Sequence, residues 1–332
     1  MTQLMRRPAH LLHAAMALTA ACGAAPALAL DAEEIFERAA PAVWTVKSDL
    51  GNGQFSVGSA VAIAPNLLVT ACHVVGKAIT VQLVQRQREV KVIRILRDPV
   101  PEHDLCVLQT EAAAALATVA IAPMDGVRVG ARAYAIGSPH GLELTLSEGL
   151  VSALRANATS TLPTIQTSAS ISSGSSGGGL FDAQARLMGV TINVSPGGQN
   201  LGFAYPAQLV MGLPQRIDAE LAQWREGLQK LGLLMGANGE PMLSGHAELG
   251  NEAALPVIGG GSDPAALQMA YKQFLLQSLP RAFMITGDGH FGTVTSLAGL
   301  NEQLAGCAQK KITCAVYAVN GTVVWGQQQP GR

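Results

Sequence analysis

The sequence predicts a mainly β chain built as barrels or sandwiches, followed by a small α+β unit. Three observations predict it. About a dozen short segments rich in β-formers run from residue 43 to residue 210 with no long helix between them, which argues against βαβ units. Turn signals separate them: the 332 residues include 36 glycines and 17 prolines, with Gly51-Asn52-Gly53, Ala64-Pro65-Asn66 and Pro196-Gly197-Gly198 between segments. One amphipathic helix, residues 215–230, then leads into a glycine-rich stretch, and new helical and strand patterns begin at 263.

Taken in order, residues 31–40 (DAEEIFERAA) carry a short helical pattern that Pro41 ends. The strand segments are VWTVKS, GSAVAIAP, NLLVTACHVV, ITVQLVQ, EVKVIRILRD, DLCVLQT, ARAYAIGSP, LTLSEGLVSALR, TIQTSASI, ARLMGVTINV and LGFAYPA. The alanine-rich run Glu111–Ala117 interrupts them between two groups. In the helix 215–230, Ile217, Leu221, Trp224 and Leu228 share one side. Residues 231–262 read as a linker ending in Gly259-Gly260-Gly261. The final unit is read as helix 263–279, strand 282–286, a turn at Gly287-Asp288-Gly289, helix 296–308 and a hairpin across Asn320-Gly321. About 70 residues make a marginal core, so a covalent staple would be useful there. The expected organisation is 1–29 signal peptide, 30–214 main β domain, 215–262 helix and linker, and 263–332 small C-terminal domain.

At 48% hydrophobic and 14% charged, the chain is too apolar for disorder. Net charge is −1 with no basic cluster, so a nucleic-acid partner has no electrostatic support. Residues Met1–Ala29 read as a secretory signal: Arg6 and Arg7, an apolar run Leu11–Ala25, and the small-x-small site Ala27-Leu28-Ala29. A membrane anchor is disfavoured because Cys22, Gly23 and Pro26 interrupt the run, and no other stretch is long enough to span a bilayer. Lipidation at Cys22 is the weaker alternative, for want of a large aliphatic residue three positions upstream. The expected location is therefore the periplasm or the extracellular space. Outside the cytosol disulfides persist, and Cys72, Cys106, Cys307 and Cys314 allow three pairings. Cys72–Cys106 and Cys307–Cys314 are expected, with four buried thiols as the alternative. The spacings do not fit a zinc site, and neither metal nor cofactor is expected.

Three segments hold His, Asp and Ser in that order. They are Thr70-Ala71-Cys72-His73-Val74-Val75, closing a strand; His103-Asp104-Leu105-Cys106, opening one; and Gly174-Ser175-Ser176-Gly177-Gly178-Gly179, a glycine-dense turn. A serine hydroxyl becomes a nucleophile when an imidazole takes its proton and a carboxylate orients that imidazole. Backbone N–H groups must also meet the developing oxyanion. Each piece alone has a bland reading: a half-buried histidine, a solvated carboxylate, a flexible Gly/Ser tract. Apolar strands bracket the tract, and the conjunction of all three carries the inference.

These segments resemble the HtrA/Deg branch of trypsin-like serine proteases. Gly58-Ser59-Ala60-Val61 with Leu68–Val75 is similar to the family's histidine segment, and Asp104-Leu105-Cys106-Val107-Leu108 to its aspartate segment. Ala135–Pro139 with Gly141 and Gly149–Ser152 is similar to its inter-barrel region. Gln166–Ile171 with Gly174–Gly178 resembles its nucleophile segment, and Gly189–Asn193 with Gly202–Pro206 its final strands. The resemblance covers residues 31–212. It implies two six-stranded antiparallel β-barrels with the site between them, polypeptide substrates, and a setting in envelope protein quality control. His73 would be the general base, Asp104 the orienting acid and Ser176 the nucleophile, with the N–H groups of Gly174 and Ser176 as the oxyanion hole. Ser170, Ile171 and Ala204 would line the specificity pocket, and none is charged, which implies a small or medium aliphatic preference. Relatives oligomerise through N-terminal segments, so a homo-oligomer is compatible.

The chain also departs from the pattern. Ser175 stands where an Asn or Asp is usual, so no carboxylate awaits a freed N-terminus. Gly179 replaces a common proline, which would loosen the loop at rest. No PDZ-like segment follows the protease unit, and the C-terminal unit resembles a small domain appended to various exported bacterial proteins. Two other readings stand beside this one. Gly174-x-Ser176-x-Gly178 matches an α/β-hydrolase elbow, but that motif needs a helix directly after the serine, and the best downstream candidates for its acid and base, Asp288 and His290, lie in the separate unit. The other is a non-catalytic binding or chaperone module on a protease scaffold, since fold does not dictate activity. His103 and His140 are expected near the cleft, and His246 and His290 on the surface.

Overall fold

The computed structural model describes residues 30–51, 53–157, 160–192, 201–231, 263–277, 279–320 and 322–324. The signal segment with Cys22 and Ala29, the Pro196-Gly197-Gly198 turn, the linker with His246, Gly321 and Trp325 lie outside them.

Asp31 caps the first helix, α1 (Ala32–Ala39), in a reciprocal box. Its carboxylate accepts from Glu34 N at 2.9 Å, while Glu34 Oε2 accepts from Asp31 N at 3.1 Å. Ile35 and Ala39 turn this helix onto the first barrel's core. That barrel closes β1 (Val43–Gly51), β2 (Gln54–Ala64), β3 (Leu67–Ala71), β4 (Thr80–Gln85), β5 (Arg88–Arg97) and β6 (Leu105–Thr110) in the order β1-β2-β3-β6-β5-β4. The second closes β7 (Arg132–Gly137), β8 (Thr145–Asn157), β9 (Ser160–Thr167), β10 (Gly179–Phe181), β11 (Leu187–Ile192) and β12 (Gly202–Pro206) in the order β10-β11-β12-β9-β8-β7. All pairings within the two barrels are antiparallel. The expected pair of six-stranded barrels is present.

Strand periodicity explains why β7 and β11 of the second barrel read as nearly unbroken apolar text. In β7, Ala133 and Ala135 face the second barrel's interior, while Tyr134 and Ile136 belong to the core shared with the first barrel. In β11, Met188 faces inward and Leu187 outward to that shared core. Both faces of these strands are buried, so alternation yields no polar positions.

The strand expected to run through NLLVTACHVV ends at Ala71. Cys72–Val75 instead form one helical turn, α2, closed by Gly76 N donating to Cys72 O at 2.8 Å. After the barrels come α3 (Leu213–Lys230), α4 (Pro264–Leu276), β13 (Ala282–Thr286), β14 (Phe291–Val294), α5 (Leu297–Lys310), β15 (Cys314–Val319) and β16 (Thr322–Val323). The sheet order is β14-β13-β15-β16. Strand β14 went unrecognised in the sequence; its four residues, Phe-Gly-Thr-Val, are all half-buried and carry little pattern. On one face of the sheet, Ala282, Met284 and Val316 pack with Leu300 of α5 and with Trp224 and Leu228 of α3. On the other, Phe283, Ile285 and Tyr317 pack with Leu267, Tyr271 and Phe274 of α4. Helix α3 therefore serves two bodies, since Ile217 near its start lies in the first barrel's core cluster.

Candidate active site

The register of β3 against β6 brings the first two predicted residues together. Ala71 pairs with Leu105 and Thr70 with Cys106, so the residues that follow β3 meet the residue that precedes β6. Cys72 N donates to Asp104 O at 2.8 Å, and His73 N donates to Asp104 Oδ1 at 2.9 Å. His73 Nδ1 lies 2.5 Å from Asp104 Oδ2, with the carboxylate as acceptor. The Cys72–Cys106 disulfide, with Cα atoms 4.9 Å apart, ties the same two segments covalently. Asp104 adopts φ +43°, a left-handed conformation that a non-glycine residue keeps only when its surroundings hold it. The hydrogen bond to Asp104 raises the His73 pKa; burial works against this and the Asp104 charge adds to it.

The third residue sits in a turn fixed from several sides. Ser175 N donates to Ser172 O at 2.9 Å and Gly174 has φ +92°, the geometry of a type II turn. The carbonyl of Ser173 accepts from His140 N at 2.7 Å. In a trans peptide the C=O and the following N–H point in opposite directions, so this bond aims Gly174 N–H away from His140. Among the described residues, the N–H groups of Gly174 and Ser176 donate to no protein acceptor. Gly177, at φ +86°, allows a close approach to the first barrel: a Cβ there would lie 2.1 Å from Ser59 O and 2.2 Å from Thr70 Oγ1.

Ser59 of β2 is the residue that sequence reasoning undervalued. Its N donates to Ser176 O at 2.8 Å, and its Oγ donates to Gly174 O at 2.8 Å and accepts from Ser138 N at 2.9 Å. Its carbonyl accepts from Thr70 Oγ1 at 2.7 Å. One buried serine thus joins the turn that carries Ser176 to both barrels. The signal was there: a polar residue at a core-facing position in the apolar run Gly58–Ala64. Thr191 of β11 holds the turn from the other side, donating from Oγ1 to Ser175 O at 2.6 Å. Gly179, expected to loosen this loop, lies within β10 and pairs with both Ile136 and Val190.

The remaining predicted residues are dispersed. Ile171 packs against the second barrel's core cluster, in which Ala204 is fully buried, while Ser170 is exposed and donates its N–H to Ser147 Oγ at 2.8 Å. His140 is exposed beside the turn, but His103 does not line the cleft. It is 3% exposed, and its Nδ1 lies 2.9 Å from Asp98 Oδ2, because Asp98 draws the ring inward. His290 and Asp288 form a surface pair at 3.2 Å, far in sequence from Ser176. Among the described residues no cluster of three His, Cys, Asp or Glu side chains is placed to hold a metal ion. The second expected disulfide, Cys307–Cys314, links α5 to β15.

Residues 58–190 match the family described as "Trypsin-like peptidase domain". That segment is similar to a trypsin-like peptidase domain. The chain is 38% identical over 183 residues to the probable periplasmic serine protease do/HhoA-like of Haemophilus influenzae, across 52% of this chain and 38% of that protein. With the periplasmic serine endoprotease DegP of Escherichia coli (strain K12) it shares 35% identity over 199 residues, 55% of this chain and 40% of DegP. The chain thus spans about two fifths of the length of these curated relatives. Among solved structures, the peptidase domain superposes on a variant of the HtrA-type protease AlgW with tripeptide at a TM-score of 0.50 and 32% identity, covering 57% of this chain and 64% of that one. It superposes on the serine endoprotease from Yersinia pestis at 0.50 and 26% identity, covering 57% and 67%. The HtrA resemblance read from the sequence is confirmed at the level of the domain and its relatives.

Proposed function

We propose that the protein is an exported serine endopeptidase that cleaves polypeptides through an acyl-enzyme formed on Ser176. The observation that carries the reading is the His73–Asp104 pair at 2.5 Å together with a nucleophile turn whose Gly174 and Ser176 N–H groups are held without protein acceptors. Asp104 fixes the imidazole with its Nδ1 proton inward, which leaves Nε2 to take the Ser176 hydroxyl proton. The serine oxygen then attacks the substrate carbonyl, the two N–H groups meet the oxyanion, and His73 returns the proton to the leaving amine. The raised pKa of His73 suits this double duty, since the imidazolium formed in the first step is stabilised by Asp104.

The uncharged Ser170, Ile171 and Ala204 support cleavage after small or medium aliphatic residues. The curated relatives are periplasmic serine proteases, and no helix among the described residues is long and apolar enough to cross a membrane. Together with the signal segment this supports export to the periplasm, and the resemblance supports a role in envelope protein quality control. The test is fluorophosphonate labelling of the protein from residue 30 onward, read by intact mass beside Ser176→Ala. Labelling that disappears in the variant supports the reading. A folded protein that takes no label and cleaves no peptide refutes it.

A further inference from the structure

The His73–Asp104 pair is braced from behind by side chains that belong to neither barrel's strands. Asp98, 1% exposed, lies between β5 and β6 and gathers the segment that carries Asp104. Its carboxylate accepts from Val100 N at 3.1 Å and from His103 Nδ1 at 2.9 Å, and Asp98 N donates to Leu105 O at 2.9 Å. The outer partner is Arg216 in the first turn of α3, which donates from Nε to Asp98 Oδ1 at 2.9 Å and from Nη2 to Oδ2. Arg216 Nη2 also donates to Leu209 O at 2.8 Å. Burial alone would raise the Asp98 pKa; the bonds from Arg216 and His103 more than offset it, and the pKa falls below its ordinary value.

A second brace reaches His73. Gln277, at the C-terminal end of α4, donates from Nε2 to Gly76 O at 3.0 Å, and Gly76 closes the helical turn that carries His73. Leu276 beside it packs against the first barrel's core. Helix α3 leads from Arg216 to Trp224 and Leu228 in the C-terminal core, and α4 packs on the opposite face of that unit's sheet. One brace therefore sits at the barrel end of a helix that runs into the C-terminal core, and the other at the end of a helix packed on that unit's sheet.

We propose that α3 and the C-terminal unit form a positioning element for the His73–Asp104 pair, acting through Arg216 on Asp98 and through Gln277 on Gly76. The inference rests on the peptidase reading above for its consequence in catalysis, but the geometry it concerns can be read without turnover. Losing the Arg216 brace frees the 98–105 segment, and Asp104, strained at φ +43°, relaxes away from His73. A displacement of about 1 Å at such a pair costs on the order of 10²-fold in rate, and a partial displacement costs less.

The experiment uses the full mature chain as wild type, Arg216→Met, Arg216→Lys and Gln277→Ala. The fold of each is checked by urea unfolding. Two readouts follow: the titration of the His73 imidazole by NMR, and the fluorophosphonate labelling rate against pH, with kcat and KM for a peptide substrate. Arg216→Met is expected to move the His73 titration to lower pH and to slow labelling about 10-fold. Arg216→Lys restores part of both, and Gln277→Ala shifts both in the same direction by less. The loss falls on kcat and leaves KM in place. Folded variants with an unmoved His73 titration and unchanged labelling overturn the proposal, as does a change confined to KM. Should Arg216→Met fail to fold, Gln277→Ala decides alone by the same criteria. If the wild type takes no label, the peptidase reading fails, while the His73 titration still decides whether the pair is braced.

Discussion

Replacing Ser59 by alanine removes one oxygen and strands two buried backbone groups. Gly174 C=O loses its donor and Ser138 N–H loses its acceptor, at bonds of 2.8 and 2.9 Å. Ser59, Ser138 and Gly174 are all buried, and Ser59 itself is fully so. Leaving a buried polar group unpaired costs about 1–3 kcal/mol, so the two together place the loss at about 2–6 kcal/mol. The Ser59 N to Ser176 O bond belongs to the backbone and survives, so the barrels still meet. Gly174, however, is no longer fixed through its carbonyl, and its N–H is left aimed by the His140 N to Ser173 O bond alone. Losing one oxyanion donor outright costs about 10²–10³-fold in rate, which bounds the effect on labelling from above. The assay is urea unfolding followed by tryptophan fluorescence, with the fluorophosphonate labelling rate measured on the folded fraction. A variant within about 0.5 kcal/mol of the parent that labels at the parent rate would refute the assignment of Ser59 as the link between the barrels and the Ser176 turn.

Three further outcomes follow from the same geometry. Asp104→Asn removes the hydrogen bond that chiefly raises the His73 pKa. Labelling in the parent should fall as pH drops through a value above about 6.5, and the variant should show that fall at lower pH with a maximum rate about 10³–10⁴-fold down; an unmoved inflection would contradict the coupling. The Cys72–Cys106 bridge closes a loop of sequence separation 34, for which chain entropy predicts about 3–4 kcal/mol. Cys72→Ser with Cys106→Ser should lower the urea midpoint accordingly, whereas a midpoint shared with the oxidised parent would show that the bridge constrains nothing. Gly177→Ala puts a Cβ within 2.2 Å of two atoms of the first barrel at a left-handed φ, so it should cost more than about 3 kcal/mol or prevent folding, as judged by soluble yield.

What was legible in the sequence was what local chemistry dictates. Alternation and turn residues gave the strands, and two of the three short segments marked His73 and Asp104, which the structure brings together. The cysteines that flank two of those segments proved to be bonded partners. Less legible was anything set by register between distant strands. Cys72 and His73 looked like the end of a strand, because nothing nearby in the sequence shows that Asp104 O captures Cys72 N. His103 looked like a cleft residue because it adjoins Asp104; Asp98, five residues earlier, buries it instead. Arg216 carried no signal in the amphipathic helix, since its partner lies 118 positions away.

The replacement of the usual acid by Ser175 reads differently once the turn is seen whole. A carboxylate at that position would be buried and would need a buried cation to offset its desolvation. Here the position is buried and neutral, with Ser172 N donating weakly to Ser175 Oγ at 3.4 Å. Order comes instead from uncharged bonds: Ser59 to Gly174 and Ser176, Thr191 to Ser175, Gly177 N to Thr191 O at 2.7 Å, and His140 to Ser173. None of these involves a side chain that titrates between pH 5 and 9, and none requires a newly freed α-amino group. Leu30 N, at the start of the described residues, donates to Ala183 O between β10 and β11 at 3.0 Å. The turn that carries Ser175 in place of an acid is therefore held by uncharged bonds that reach it from both barrels.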